Sequence, residues 1–338
     1  MAVTGLGKAL FLIVLMSVQA AATAVYAQES AMSDCKSFIV DVLAGEPVPM
    51  EMMVDDLASV RIVYVGEVHT IDRHHELQTE ILRVLSQRGL KLALGMEMFS
   101  VRQQEILDRW QRGDGSVASL IHDLGKGHWT NLLDYESVLL TARKLHVPIL
   151  GINADDALVK KVARHGIRGL SDAEQREAPR GFDRINPVND RLLRLKLRVH
   201  RAFEGKSLDR IVLAQALRDE TMARAIVRFL DSPEGKDRTM MVIAGSGHLN
   251  YGLGIPERVR RRGEITSRII LPSESGELVL SESEKRQAVP VEITHKDLLF
   301  INKPIADYLH LIPLRKKSEE PPAPTSAPEM DQARLTDP

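Results

Sequence analysis

Four segments of near-continuous apolar character punctuate the chain: Arg61–Val65, Leu90–Leu94, Pro148–Ile152 and Met240–Ala244. Strands solvated on one face alternate apolar and polar residues, so runs without alternation suit strands covered on both faces. After the first run, Leu77, Ile81, Leu82 and Leu85 recur at helical spacing over about 72–88, and Gly89 follows where a helix end favours glycine. After the second, Ser100-Val101-Arg102-Gln103 has the form of a capping box opening a helix through Trp110. This alternation predicts an α/β fold, an open and largely parallel sheet flanked by helices. The interval of about 154–231 carries three helical patterns and no strand pattern. It predicts a helical insertion, a lid, before the last core strand. Ser267–Leu271 and Leu298–Ile301 are short strand candidates for the sheet edge.

The two ends read differently from the middle. Lys8, an apolar run over 9–18 and a small-residue stretch Ala20–Ala27 outline a secretory signal, with Val25 and Ala27 at the −3 and −1 positions of a cut before Gln28. The run is short for a membrane span. Residues 1–27 are therefore expected to be a signal peptide, and the protein to be exported to the periplasm or the outer membrane. Cys35 follows soon after, but Asp34 stands where a lipobox needs a small residue. Lipoprotein anchoring is not expected, and Cys35 reads as a free or buried thiol. The domain is expected over 28–312, followed by a Pro-rich, solvated tail over 313–338, since 318–338 holds five of the sixteen prolines and no β-branched apolar residue.

Composition narrows the partners. With 45 Lys+Arg against 46 Asp+Glu among 338 residues, the net charge of −1 offers no bulk attraction to nucleic acid. A single cysteine rules out an intrachain disulfide and multi-Cys metal sites.

Ligands of open parallel sheets bind beyond the carboxyl ends of the strands. There the chain places Gly66-Glu67-Val68-His69, Gly95-Met96-Glu97-Met98-Phe99 and Gly245-Ser246-Gly247-His248. Glu67, His69, Glu97 and His248 would bring two imidazoles and two carboxylates to one crevice, a reasonable set for Zn, Mn or Fe. Separately, each is also an ordinary satisfied polar group at a strand end. His74 and His75 open the first helix, where the helix dipole disfavours protonation and leaves a nitrogen for a metal or a proton. Gln215, Asp219 and Met222 fall at i, i+4 and i+7, a face expected to border the ligand. The zincin helix motif fails at Thr79, a nucleophile elbow fails around Ser246, and the glycine patterns of nucleotide sites fail at Leu120 and Asn250.

Together with His74-His75-x-x-Gln78, Trp129, Tyr135, Gly151-Ile152-Asn153, Gln215-x-x-x-Asp219 and Gly252-x-Gly254-Ile255-Pro256, the strand-end motifs resemble the ChaN-like haem-binding uptake proteins of the Tiki superfamily, over about Val60–Pro256. The resemblance implies a bacterial envelope protein that binds haem for iron uptake, alongside envelope haem/iron transport components and as a homodimer sharing the haem site. Haem needs an axial ligand, an apolar slot and cations for its propionates. His69, His74, His75, His248, Tyr251 and Asp219 are the expected binding residues. Tyr251, three residues after His248, is the first phenol to examine, among Tyr64, Tyr135 and Tyr308. Arg191, Arg194, Lys196, Arg198 and Arg201, on a helix expected over Asp190–Phe203, are candidate propionate partners, and Met96 and Met98 candidate pocket walls. The alternative is a metal-dependent hydrolase, with His69, His248 and a carboxylate holding the ion and Glu67 or Glu97 as general base. The residues alone serve either function, so enzymatic turnover stays open.

Overall fold

The computed structural model describes residues 37–197, 206–274 and 293–312. The expected signal peptide, Cys35, the tail, and Arg198, Arg201 and Phe203 lie outside the described residues. Two short strands, β1 (Phe38–Asp41) and β2 (Glu46–Val48), precede α1 (Met50–Leu57). Then follow β3 (Ile62–Glu67), α2 (Asp72–Gln87), β4 (Leu92–Ser100), α3 (Gln104–Arg112), α4 (Val117–Leu124), α5 (Glu136–Lys144) and β5 (Ile149–Asn153). Next come α6 (Asp156–His165), α7 (Asp172–Glu177), α8 (Pro187–Leu197), the long α9 (Lys206–Leu230) and β6 (Thr239–Gly245). α10 (Ile255–Arg260), β7 (Ser267–Glu274), α11 (His295–Leu298) and β8 (Tyr308–Ile312) close the domain.

The eight strands form one sheet in the order β2-β1-β8-β7-β3-β6-β4-β5. From β8 to β5 every neighbouring pair is parallel, and the β1–β8 and β1–β2 pairs are antiparallel. The central strands have no wet face, which explains their unbroken apolar runs. Val63 and Val65 of β3 and Met241 and Ile243 of β6 point into a core with Leu77, Ile81 and Leu82 of α2 and Val138 and Leu139 of α5. Their neighbours Ile62, Tyr64, Met240, Val242 and Ala244 point the other way, onto Met222, Ala223, Ile226 and Leu230 of α9 and Ile255 and Val259 of α10. Full burial of each such side chain is worth about 1.5–3 kcal/mol. The helical segment between β5 and β6 is present, and its last helix doubles as the layer over one sheet face.

Two expectations about the sheet edge are corrected. β7 lies inside the sheet, between β3 and β8. Leu298–Ile301 is not a strand: Thr294 donates to Asp297 from its backbone N–H (3.0 Å) and its hydroxyl (2.7 Å), a cap that starts a helical turn at His295. The strand comes later, at β8.

Chain order and sheet order differ where function is expected. The β3–β4 connection, through α2, runs to one side, and the β6–β7 connection, through α10, runs to the other, with β6 inserted between β3 and β4. The carboxyl ends of β3, β6 and β4 are thus adjacent at a topological switch point.

Candidate functional site

Glu67 is the last residue of β3, paired in register with Gly245 of β6, and points to the same face as Val63 and Val65. There α2 supplies Gln78, whose Nε2 donates to Oε2 at 2.6 Å, and Tyr135 donates its hydroxyl to Oε1 at 2.5 Å. His69 lies beyond the strand and turns back, placing Nδ1 2.6 Å from Oε1. His69 thus reaches Glu67 through a turn after the strand, and Asn131 Nδ2 donates to the His69 carbonyl at 2.6 Å. Burial favours a protonated Glu67, but hydrogen bonds from His69 and the neighbouring His75 and Tyr135 outweigh it and hold the carboxyl down at about 2. His75 Nε2 stands 3.5 Å from Glu67. His74 accepts the Val68 N–H at Nδ1 (2.9 Å), and burial lowers its imidazole to about 4.

Glu97 occupies the opposite side of the sheet, in a stretch of β4 where the register to β5 shifts between Met96 and Ser100. A Cβ at Gly151 would stand 2.4 Å from the Ser100 carbonyl, so β5 can follow that irregularity only with glycine there. Asn153 Nδ2 donates to the Glu97 carbonyl at 2.9 Å. The Glu97 carboxylate accepts the Gly245 N–H (2.7 Å) and lies 3.1 Å from His248 Nε2. His248 Nδ1 bonds Asp219 of α9, and Gln215 Nε2 stands 3.1 Å from the ring nitrogens. Burial opposes charge on His248, yet Glu97 and Asp219 overcome it and raise its pKa to about 10. Burial likewise opposes charge on Glu97, but His248, His69 and the Gly245 N–H hold it at about 2.

Gly245 is the seam between these two half-sites. A Cβ there would come 2.9 Å from His69 Nε2 and 3.5 Å from Glu97 Oε2, so the missing side chain lets both approach. Burial disfavours protonation of His69, but Glu67 and Glu97 more than compensate and raise its pKa.

Above the seam opens a cleft of about 740 Å³. His69, Glu97, Met98 and Trp129 line it, with the His69 and Trp129 rings edge to face at 4.9 Å between centroids. His128, four cations, Arg102, Lys126, Lys160 and Arg218, and the carboxylates Asp155 and Asp156 also line it. Arg102 is held by Glu177 (2.6 Å), Lys160 by Asp156 (2.5 Å) and Arg218 by Asp156 at 3.5 Å. Lys126 has no carboxylate partner among the described residues.

Of the residues expected to touch a ligand, His69 and Glu97 reach the cleft. His248 and Asp219 are buried behind Glu97, and His74 and His75 are buried behind Glu67. Tyr251 is displaced from the cleft wall: its backbone is left-handed (φ 61°) and its N–H donates to the Ile305 carbonyl at 2.8 Å. Of the other phenols, Tyr64 is wholly buried and Tyr308 donates to Asp56 at 2.8 Å. Arg191 stacks on Phe300 and Arg194 pairs with Asp190 and Asp209, so neither faces the cleft. The cleft cations come instead from the 3₁₀ turn after β4, the loop after α4, and helices α6 and α9. Glu67, His69, Glu97 and His248 engage one another and their neighbours, and among the described residues no three His, Cys, Asp or Glu side chains are grouped to hold one metal ion.

The family model for haem-binding uptake proteins, Tiki superfamily, ChaN, matches residues 53–259, more than half of the chain. The chain belongs to that family. Its fold is similar to a solved structure of ChaN from Campylobacter jejuni, described as showing cofacial heme binding, with a TM-score of 0.61 and 18% identity over 83% of this ChaN-like chain and 98% of that one. Protein RETICULATA-RELATED 5, chloroplastic, of Arabidopsis thaliana is 26% identical over 265 residues, 72% of this chain. The chain spans 34% of the length of that curated relative. The matched region runs from α1 to α10 and contains both half-sites.

Proposed function

We propose that this ChaN-like protein is an exported haem-binding protein serving haem and iron uptake, and that haem lies in the cleft beyond β3, β6 and β4. One observation carries the location: this cleft combines imidazole, a flat aromatic wall and four cations. Haem supplies an iron centre needing an axial ligand, inside a planar apolar ring bearing two carboxylates. The residues present fit that group. Trp129 and Met98 offer apolar surface, while Lys126, Arg102, Lys160 and Arg218 would meet the propionates, the three paired cations exchanging a surface carboxylate for a ligand one. The signal-like pattern over 1–27 supports export, Asp34 before Cys35 argues against lipid anchoring, and a homodimer sharing the site is part of the proposal.

Titration of residues 28–338 with haemin is expected to give saturable binding and a discrete Soret band. Reversing two cleft cations, Lys160→Glu with Arg218→Glu, is expected to weaken binding by about tenfold or more, equivalent to about 1.4 kcal/mol or more. Unsaturated adsorption with a broad spectrum overturns the reading.

A second reading is hydrolysis, favoured by the Glu67–His69 pair. The carboxylates expected as general bases already accept hydrogen bonds from neighbours, whereas His69, oriented through Nδ1 and with its side chain 33% exposed, is the group placed to take a proton from water. Turnover of an ester panel that disappears in His69→Ala, with and without a chelator, tests it. No turnover by the parent protein sinks it.

A further inference from the structure

We propose that Arg224, Arg228 and Arg262 form a binding site for a phosphoryl group, where the second half of α9 meets the turn that follows α10. Glu220, Arg224 and Arg228 recur at four-residue spacing on α9 and so share one stripe of that helix. Arg262 joins the stripe by donating from Nη2 to Glu220 Oε1, and its Nη1 donates to the Arg258 carbonyl at 2.8 Å. None of the three arginines lines the cleft, so the site is separate from it and does not depend on what the cleft holds.

The charge of this cluster is unbalanced. Glu220 is buried, and its single charge is divided between Arg258 and Arg262. Glu177 approaches Arg224 only with its carbonyl, 3.3 Å from Nη1, because its carboxylate is held by Arg102. Arg228 is exposed and has no carboxylate partner among the described residues. The neighbouring Glu257 is taken by Arg261 at 2.6 Å. One buried carboxylate therefore stands against four guanidinium groups, Arg224, Arg228, Arg258 and Arg262. Burial, and then the like charges of Arg228 and Arg262, push the Arg224 guanidinium below its ordinary range. An anion held between the three arginines replaces that repulsion with attraction.

The donors select the kind of anion. Each guanidinium is a planar fork of N–H groups that stays charged and matches oxyanions through paired hydrogen bonds. Three forks converging from two segments offer more donors than the two oxygens of a carboxylate accept, whereas a phosphoryl group brings three strong acceptor oxygens.

A phosphoryl group reaches such a site on a soluble compound or on a lipid headgroup, and the test separates the two. Residues 28–338 are titrated calorimetrically with inorganic phosphate at low ionic strength, and are floated with vesicles of phosphatidylglycerol in phosphatidylcholine or of phosphatidylcholine alone. The double variant Arg224→Gln/Arg228→Gln and the single variant Arg262→Gln, on a different segment, are run in parallel. Thermal unfolding in chloride checks their folds, and the double variant, relieved of like-charge repulsion, is expected to melt at or above the parent's midpoint. The parent is expected to bind, and the double variant to bind about tenfold or more weakly, with a smaller loss in Arg262→Gln. Phosphate binding without vesicle capture upholds the site and assigns it to a soluble phosphoryl compound. Capture by phosphatidylglycerol vesicles alone upholds it and assigns it to a headgroup. Binding of neither probe by the parent, capture that does not distinguish the two kinds of vesicle, or binding that survives in the folded double variant overturns the proposal.

Discussion

Urea unfolding of His248→Leu at pH 7 is expected to show a loss of about 3–5 kcal/mol, against the roughly 5–15 kcal/mol by which domains are stable. The imidazole is the shared positive partner of Glu97 and Asp219, all three groups are nearly excluded from solvent, and leucine can neither donate to them nor neutralise them. Glu97 keeps the Gly245 N–H, but two carboxylates then confront one another without a cation. Protonation of one relieves that repulsion, so the deficit is expected to shrink between pH 7 and pH 5. His69→Leu gives the contrast. Its Glu67 retains Gln78 and Tyr135 as donors and its own side chain is one-third exposed, so the loss is expected to be about 1–2 kcal/mol. Equal losses in the two variants, or a His248→Leu deficit that grows on acidification, would sink this account of the buried cluster.

Much of this cluster is legible in the sequence because it sits where apolar runs stop. The four runs identify β3, β4, β5 and β6, and a polar residue after a glycine at a parallel strand end marks Glu67, Glu97 and His248. What linear order does not reveal is that β6 lies between β3 and β4, which is why the three ends are adjacent, and that Glu67 and Glu97 face opposite layers. Asp219 and Gln215 announce a shared helix face, and the structure gives that face its partner, His248. The elements that escape a pattern-based reading are those with little burial. β1 and β2 have four and three residues and are half exposed, so neither imposes an alternation long enough to detect. Leu298–Ile301 misleads because apolar character alone does not distinguish a strand from a turn of helix, and the Thr294–Asp297 cap decides between them. Tyr251 is misplaced by counting residues from His248, since the chain reverses through a left-handed residue before the phenol can reach the cleft. The cleft cations and His128 lie on α6, α9 and connecting turns far apart in sequence, and the glycines at 125 and 127 were their one local signal.

The stability of the domain is expected to peak near pH 6.5 and to fall on both sides, with the alkaline fall traceable to His248. Its pKa is about 10 in the folded protein against 6.5 for an ordinary imidazole. The folded state therefore holds a proton that the unfolded chain has lost, and the stabilisation, complete below pH 6.5, declines as the pH rises toward 10. On the acid side, His74 is pushed down to about 4, so the unfolded chain binds the extra proton and stability declines as the pH drops from 6.5 toward 4. Glu67 and Glu97, both near 2 against 4.5 ordinarily, add to that decline as the pH falls below 4.5. Urea midpoints at pH 4.5, 6.5, 8 and 9.5 for the parent and for His248→Gln separate the contributions, because subtracting the two curves removes the groups that do not touch His248, leaving those of His248 and its partners Glu97 and Asp219. The difference is expected to narrow by about 2–4 kcal/mol between pH 6.5 and 9.5 as the parent loses what the variant never had. A difference that stays constant over that range would mean that His248 is neutral in the folded protein. Asp219 and Glu97 would then share a proton of their own, and the ion-pair description of this half-site would have to be abandoned.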